Sequence, residues 1–239
     1  MKRLLILGAL FFAFPTFAQL KRGELIVSPQ GRTATTQYYR FSSETVSLKV
    51  IPKGKFPDLN SAMKAHNCIA GSNGGFFDPS YQPLGLVISD SRTSGRKNLS
   101  SSLTSGVIYQ TKNSLTIERA KSFFKKSIVP EQLLQTGPFL IEKGEIIKGL
   151  SDRRYARRTF IATNDQGEWI LAYTPPTTLA QLAKSLADSK ETYGFQIKTA
   201  LNLDGGSSSA LWVKKGEKNN PFYLKERKPV ANFIGLIAK

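Results

Sequence analysis

The run Ala200-Leu-Asn-Leu-Asp204-Gly205-Gly206-Ser207-Ser-Ser-Ala210-Leu-Trp-Val213 leaves the chain few options. Two apolar stretches flank a Gly-Gly-Ser-Ser-Ser turn, which reads as strand, sharp turn, strand. Asp204 then stands at a strand end beside flexible glycines and exposed backbone N–H donors, a common way to build an active site. Asp-Gly is equally a hairpin signal, and in that case Asp204 caps the turn of a bulged hairpin. The spacing excludes several familiar motifs. No Lys follows the glycines as in a P-loop, no G-x-G-x-x-G is present, and Ser209 stands where a nucleophile elbow needs glycine.

Met1-Lys2-Arg3, the apolar run from Leu4 to Phe14, Pro15 and the small residues around Ala18 read as a secretory signal peptide over residues 1–18. The run is too short for a comfortable membrane anchor, and no later transmembrane segment is expected. Residues 19–239 then form one domain, periplasmic or secreted. Cys68 is the lone cysteine, so no intrachain disulfide is available and the core alone must hold the fold, which suits a bacterial periplasm. Between apolar neighbours, Cys68 reads as a packing residue. Lys plus Arg number 34 against 17 Asp plus Glu, a net charge of +17. Such a surface attracts polyanions, and for an exported protein anionic glycans, phosphate-bearing polymers and headgroups are more accessible than nucleic acid, which is not expected as a partner. With one histidine, His66, and one cysteine, a Cys/His metal centre is disfavoured. A carboxylate-bound Ca²⁺ or Mg²⁺ stays open, although no EF-hand loop is present.

Residues 24–52 read as half-buried antiparallel strands, Leu25-Ile-Val27, Tyr38–Phe41 and Val46–Ile51, with alternation in the last run. Leu59, Ala62, Met63 and His66 behind Pro57 predict a short helix. An apolar approach then leads into Asn73-Gly74-Gly75-Phe76-Phe77-Asp78, where glycines permit a bend or a close approach to the backbone. Residues 89–105 read as a surface loop, and Gly106–Gln110 with Ser114–Glu118 as a hairpin. Lys121-Ser-Phe-Phe-Lys125-Lys126 is basic with aromatics interleaved, either a contact for an anionic polymer or a solvated edge over two core phenylalanines. Arg153, Arg154, Arg157 and Arg158 precede an apolar strand, and arginine forks suit phosphate or carboxylate. Thr178 to Lys190 is the clearest helix, with Thr178 and Gln181 as a capping box and Gly194 as its stop.

Four ordered pieces, Asn73-Gly-Gly-Phe-Phe77, Gln135-Thr-Gly137-Pro138, Arg158-Thr-Phe-Ile161 and Asn202-Leu-Asp-Gly-Gly-Ser-Ser208, together resemble the phosphodiester glycosidase family of uncovering-enzyme type, in its compact bacterial branch. The resemblance spans about residues 40–239. It implies an α+β fold, a single domain of mixed, curved β-sheets with a few covering helices. It also implies hydrolysis of the sugar C1–O bond in a sugar-1-phosphodiester, the substrate being a phosphate-linked saccharide or anionic glycan. Glycoside hydrolysis uses two carboxylates, one of them an acid for the leaving oxygen, but a phosphate monoester already leaves well. Asp204 is therefore assigned the nucleophile or general-base role, and Arg158, helped by Arg157, the phosphate. Asn73 and Asn202 are expected to bond the sugar, and the N–H groups of Gly74, Gly205 and Gly206 to line the pocket. Gly75, Gly137 and Ser207 complete it, and Asp78 is the second-carboxylate candidate. Two alternatives are a non-catalytic periplasmic module holding anionic polymer on its basic face, and a phosphodiesterase cutting P–O, which would call for a metal site.

Overall fold

The computed structural model describes residues 20–26, 33–216 and 219–239; the expected signal peptide lies outside them. Three sheets carry the fold, and every ladder among the described strands is antiparallel rather than mixed. The first has the order β1 (Leu20–Ile26), β2 (Thr33–Ser42), β13 (Glu168–Thr177), β12 (Ala156–Thr163), β14 (Thr199–Asn202), β10 (Phe139–Glu142), β11 (Glu145–Ile146). The second runs β16 (Phe222–Leu224), β15 (Leu211–Val213), β4 (Ala70–Asn73), β17 (Asn232–Ala238), β3 (Val46–Pro52). The third runs β6 (Arg92–Ser94), β5 (Val87–Ser89), β9 (Gln132–Thr136), β7 (Gly106–Gln110), β8 (Leu115–Arg119).

Strand alternation sends one set of side chains from each sheet into a shared core: Ile161, Leu171 and Leu201 from the first, Val50, Leu211 and Ile234 from the second, Val87, Ile108 and Leu134 from the third. The opposite faces are not left to water. Phe160, Ala162 and Ala200 pack under α3 (Leu179–Ala187), while Ile51, Phe233 and Trp212 pack against α1 (Leu59–Ala65). Val107, Tyr109 and Leu133 lie under α2 (Ala120–Phe123). Burial on both faces is why runs such as Phe160-Ile-Ala162 are continuously apolar. This is the expected α+β architecture of curved sheets with few helices.

Cys68 is buried as a packing residue, and burial pushes its thiol up to about 12. The predicted loop over residues 89–105 is partly structured: β5 and β6 form a tight ribbon turning at Asp90 and Ser91, both at positive φ. At α3, Thr178 caps Gln181 N at 3.1 Å, but the Gln181 amide donates to Tyr155 Oη instead of closing the box. The helix breaks at Asp188, and Gly194 caps a second short helix, α4 (Ser189–Tyr193). Among the described residues no helix is long and apolar enough to cross a membrane.

Candidate active site

The central turn is not a hairpin. Its incoming strand, β14, belongs to the first sheet and its outgoing strand, β15, to the second, so residues 203–210 bridge the two where both run out. β4 ends at the same place, and the two glycine bends lock together there. Asp204 N donates to Gly74 O at 3.0 Å, and Asn73 Nδ2 donates to Asp204 O at 2.6 Å. β12 supplies the third wall. Phe160 pairs with Asn202, Leu203 N reaches Thr159 O at 2.9 Å, and one more step brings Asp204 level with Arg158.

Asp204 is half-buried, and its carboxylate takes the Gly205 N–H at 2.8 Å. Burial raises its pKa above the ordinary carboxylate value; the Ser208 hydroxyl, the Gly205 N–H and the charge of Arg154 pull the other way. Arg158 is 7 % exposed. Its Nε donates to Thr177 O at 3.2 Å and one terminal nitrogen to Arg154 O at 2.7 Å. The other, Nη1, has no protein acceptor among the described residues and lies 3.4 Å from where a Cβ on Gly205 would stand. Burial and Arg154 lower the Arg158 pKa, yet a guanidinium keeps its proton in proteins. Around this pair stand exposed cations: Arg153 and Arg154 before β12, and Arg227 and Lys228, whose backbone N–H groups hold Ser207 O at 2.7 and 3.3 Å.

A family model of phosphodiester glycosidases matches residues 66–237. The chain belongs to the phosphodiester glycosidase family. Among solved structures it resembles the zebrafish N-acetylglucosamine-1-phosphodiester alpha-N-acetylglucosaminidase catalytic domain, auto-inhibited by its pro-peptide, at 19 % identity and TM-score 0.65, over 91 % of this chain and 82 % of that one. It also resembles a hypothetical protein from Synechocystis at 16 % identity and TM-score 0.58, over 92 % of this chain and 64 % of that one. At these identities the likeness is one of fold. No curated protein sequence matches.

Within this phosphodiester glycosidase fold, several residues expected to face a substrate are committed to the scaffold. Asn73 is fully buried; its Oδ1 accepts from Ala210 N at 3.0 Å and lies 2.9 Å from Thr159 Oγ1. Asn202, 1 % exposed, donates to Gly137 O and Leu203 O at 2.9 and 2.6 Å. Arg157 clamps the turn through the carbonyls of Gly206 and Ser207, at 2.9 and 3.3 Å, rather than presenting a free fork. The Gly74, Gly205 and Gly206 N–H groups go to Asn232 O, the Asp204 carboxylate and Arg157 O. These glycines serve close approach: a Cβ on Gly74 would stand 2.0 Å from Asn232 Oδ1, and Gly206 turns at φ +67°. Gly75 N is held by Asn232 Oδ1 at 2.8 Å, and a Cβ on Gly137 would stand 2.5 Å from Ser102 O.

Asp78 also lies elsewhere in purpose. Its carboxylate accepts from Ser80 N and Gln82 N at 2.8 and 2.9 Å, which folds the turn between Phe77 and Pro83. Asp204 stands at the meeting of the two glycine bends instead. Residues unassigned from sequence are Thr159, Ser208, Asn232 and Arg154, the last noted only as one of four arginines. Thr159 and Ser208 follow Arg158 and flank the glycine turn, so the register between β12 and β14 was the signal that would have placed them. Among the described residues no three His, Cys, Asp or Glu side chains group as metal ligands; a Ca²⁺ or Mg²⁺ here would rest on Asp204 with hydroxyl and carbonyl oxygens.

Proposed function

We propose that this protein is an exported hydrolase that cleaves the sugar C1–O bond of a sugar-1-phosphodiester in a glycan or cell-envelope polymer. The observation that carries the reading is a carboxylate whose pKa burial raises, Asp204, next to Gly205, on which a Cβ would lie 3.4 Å from the uncommitted Nη1 of Arg158, with the charge of Arg154 acting on the same carboxylate. Water adds to the anomeric carbon, the C1–O bond breaks, and the phosphate departs as a monoester that needs no proton from the protein. Asp204 serves the carbon side, as nucleophile or as base to water; because the phosphate leaves without a proton one carboxylate suffices, while Asp78 Oδ1 is bound into its own turn. Arg158 and Arg154 take the phosphate oxygens, where a preorganised charge in a partly dry site stabilises the leaving group. The name of the zebrafish neighbour makes an N-acetylglucosamine-1-phosphodiester the first substrate to assay.

Hydrolysis in ¹⁸O-labelled water is the test. The label is expected on the sugar, with turnover unchanged by EDTA; label on the phosphate would replace this reading with P–O cleavage. Arg158→Lys is expected to lower kcat/KM by roughly 10²–10³-fold, because the point charge cannot hold both Thr177 O and the phosphate. Weaker inhibition by inorganic phosphate should accompany that loss.

A further inference from the structure

The basic aromatic run at residues 121–126 is not absorbed by the site. Phe123 is buried and Phe124 half-buried on the outer face of the third sheet, beside Ile128. Lys121 and Lys125 lie one turn apart on the exposed side. Lys97 Nζ stands 4.9 Å over the Phe124 ring, so the loop carrying Arg96, Lys97 and Leu99 continues the same surface. Of its acids, Glu118 is paired with Lys126 at 2.5 Å, and Glu131 is exposed two residues beyond Val129. On the same two stretches of chain two apolar side chains face water: Val129, 86 % exposed, after Lys126, and Leu99, 38 % exposed, after Lys97.

We propose that this surface docks the protein on an anionic phospholipid membrane. Exposed lysine and arginine on the same short segments as projecting aliphatic groups is the pattern of interfacial segments, the charges lying at headgroup phosphates and the side chains entering the acyl boundary. A soluble polyanion would satisfy the lysines but offers nothing to Val129. Peripheral docking of this kind needs no spanning helix.

The test is sedimentation of the purified protein with vesicles of phosphatidylcholine alone or mixed with phosphatidylglycerol. Binding is expected only to the mixed vesicles, weakening with salt. Lys121→Gln with Lys125→Gln should lower partitioning about 25-fold, about fivefold for each charge, and Val129→Ser about tenfold. Equal binding to both vesicle types, or to neither, overturns the proposal. So does release by inorganic polyphosphate with Val129→Ser behaving as wild type, which would make this a site for soluble polyanions. The lysine variant should hydrolyse a soluble substrate at the wild-type rate, so failure here is distinct from failure of the hydrolase reading.

Discussion

Asp204→Asn is expected to leave a folded protein whose kcat/KM on a sugar-1-phosphodiester falls by roughly 10²–10⁴-fold, and to raise its melting temperature at neutral pH. The two effects share a cause. Burial raises the Asp204 pKa in the folded state, so the native protein binds that proton more tightly than the unfolded chain. Stability therefore falls as pH rises from the ordinary carboxylate value through the folded one, and at neutral pH the ionised group carries the full penalty. The amide is nearly isosteric and can still accept from Gly205 N, but is never ionised. Its advantage should vanish in acid, below the unfolded carboxylate value, where Asp204 is protonated in both states. Wild-type activity should fall on the acidic side at a pH above the usual carboxylate range, following Asp204. Unchanged turnover in the folded variant would remove Asp204 from the chemistry and favour a binding module, for which exposed lysines would matter more.

Much of the scaffold was legible because local signals and packing agree. The alternation of residues 46–51, the Leu179-Leu182-Ala183-Leu186 face and the Lys112-Asn113 turn each became the element their pattern predicts. Asp204 and Arg158 stood out in the sequence as a carboxylate at a glycine turn and an arginine at a strand entry, and the fold brings their strands side by side. What could not be read was which polar side chains the scaffold would use. Asn73, Asn202 and Arg157 look like ligand contacts in one dimension, but three strands from two sheets end together there without continuing their ladders. Their terminal N–H and C=O groups need partners, and these side chains supply them. The strand-turn-strand reading held, but the hairpin alternative could not be set aside from sequence for a related reason. Only long-range register shows that residues 200 and 213 belong to different sheets.

Asn73→Ala tests that distinction, with an expected loss of about 3–5 kcal/mol in stability, or on the order of 10 °C in melting temperature. The substitution takes the acceptor from Ala210 N and the short donor from Asp204 O, in a place with no exposure to water. Thr159 Oγ1, 3.0 Å from Asp204 O, can still hold that carbonyl, so the turn should loosen rather than collapse. A loosened turn moves the Asp204 carboxylate relative to Arg158, and kcat should fall while KM changes little. An Asn73 that touched the sugar would behave the other way, raising KM with the melting temperature nearly intact. Thermal melts beside steady-state kinetics on the same variant therefore separate a residue that positions Asp204 from one that binds substrate.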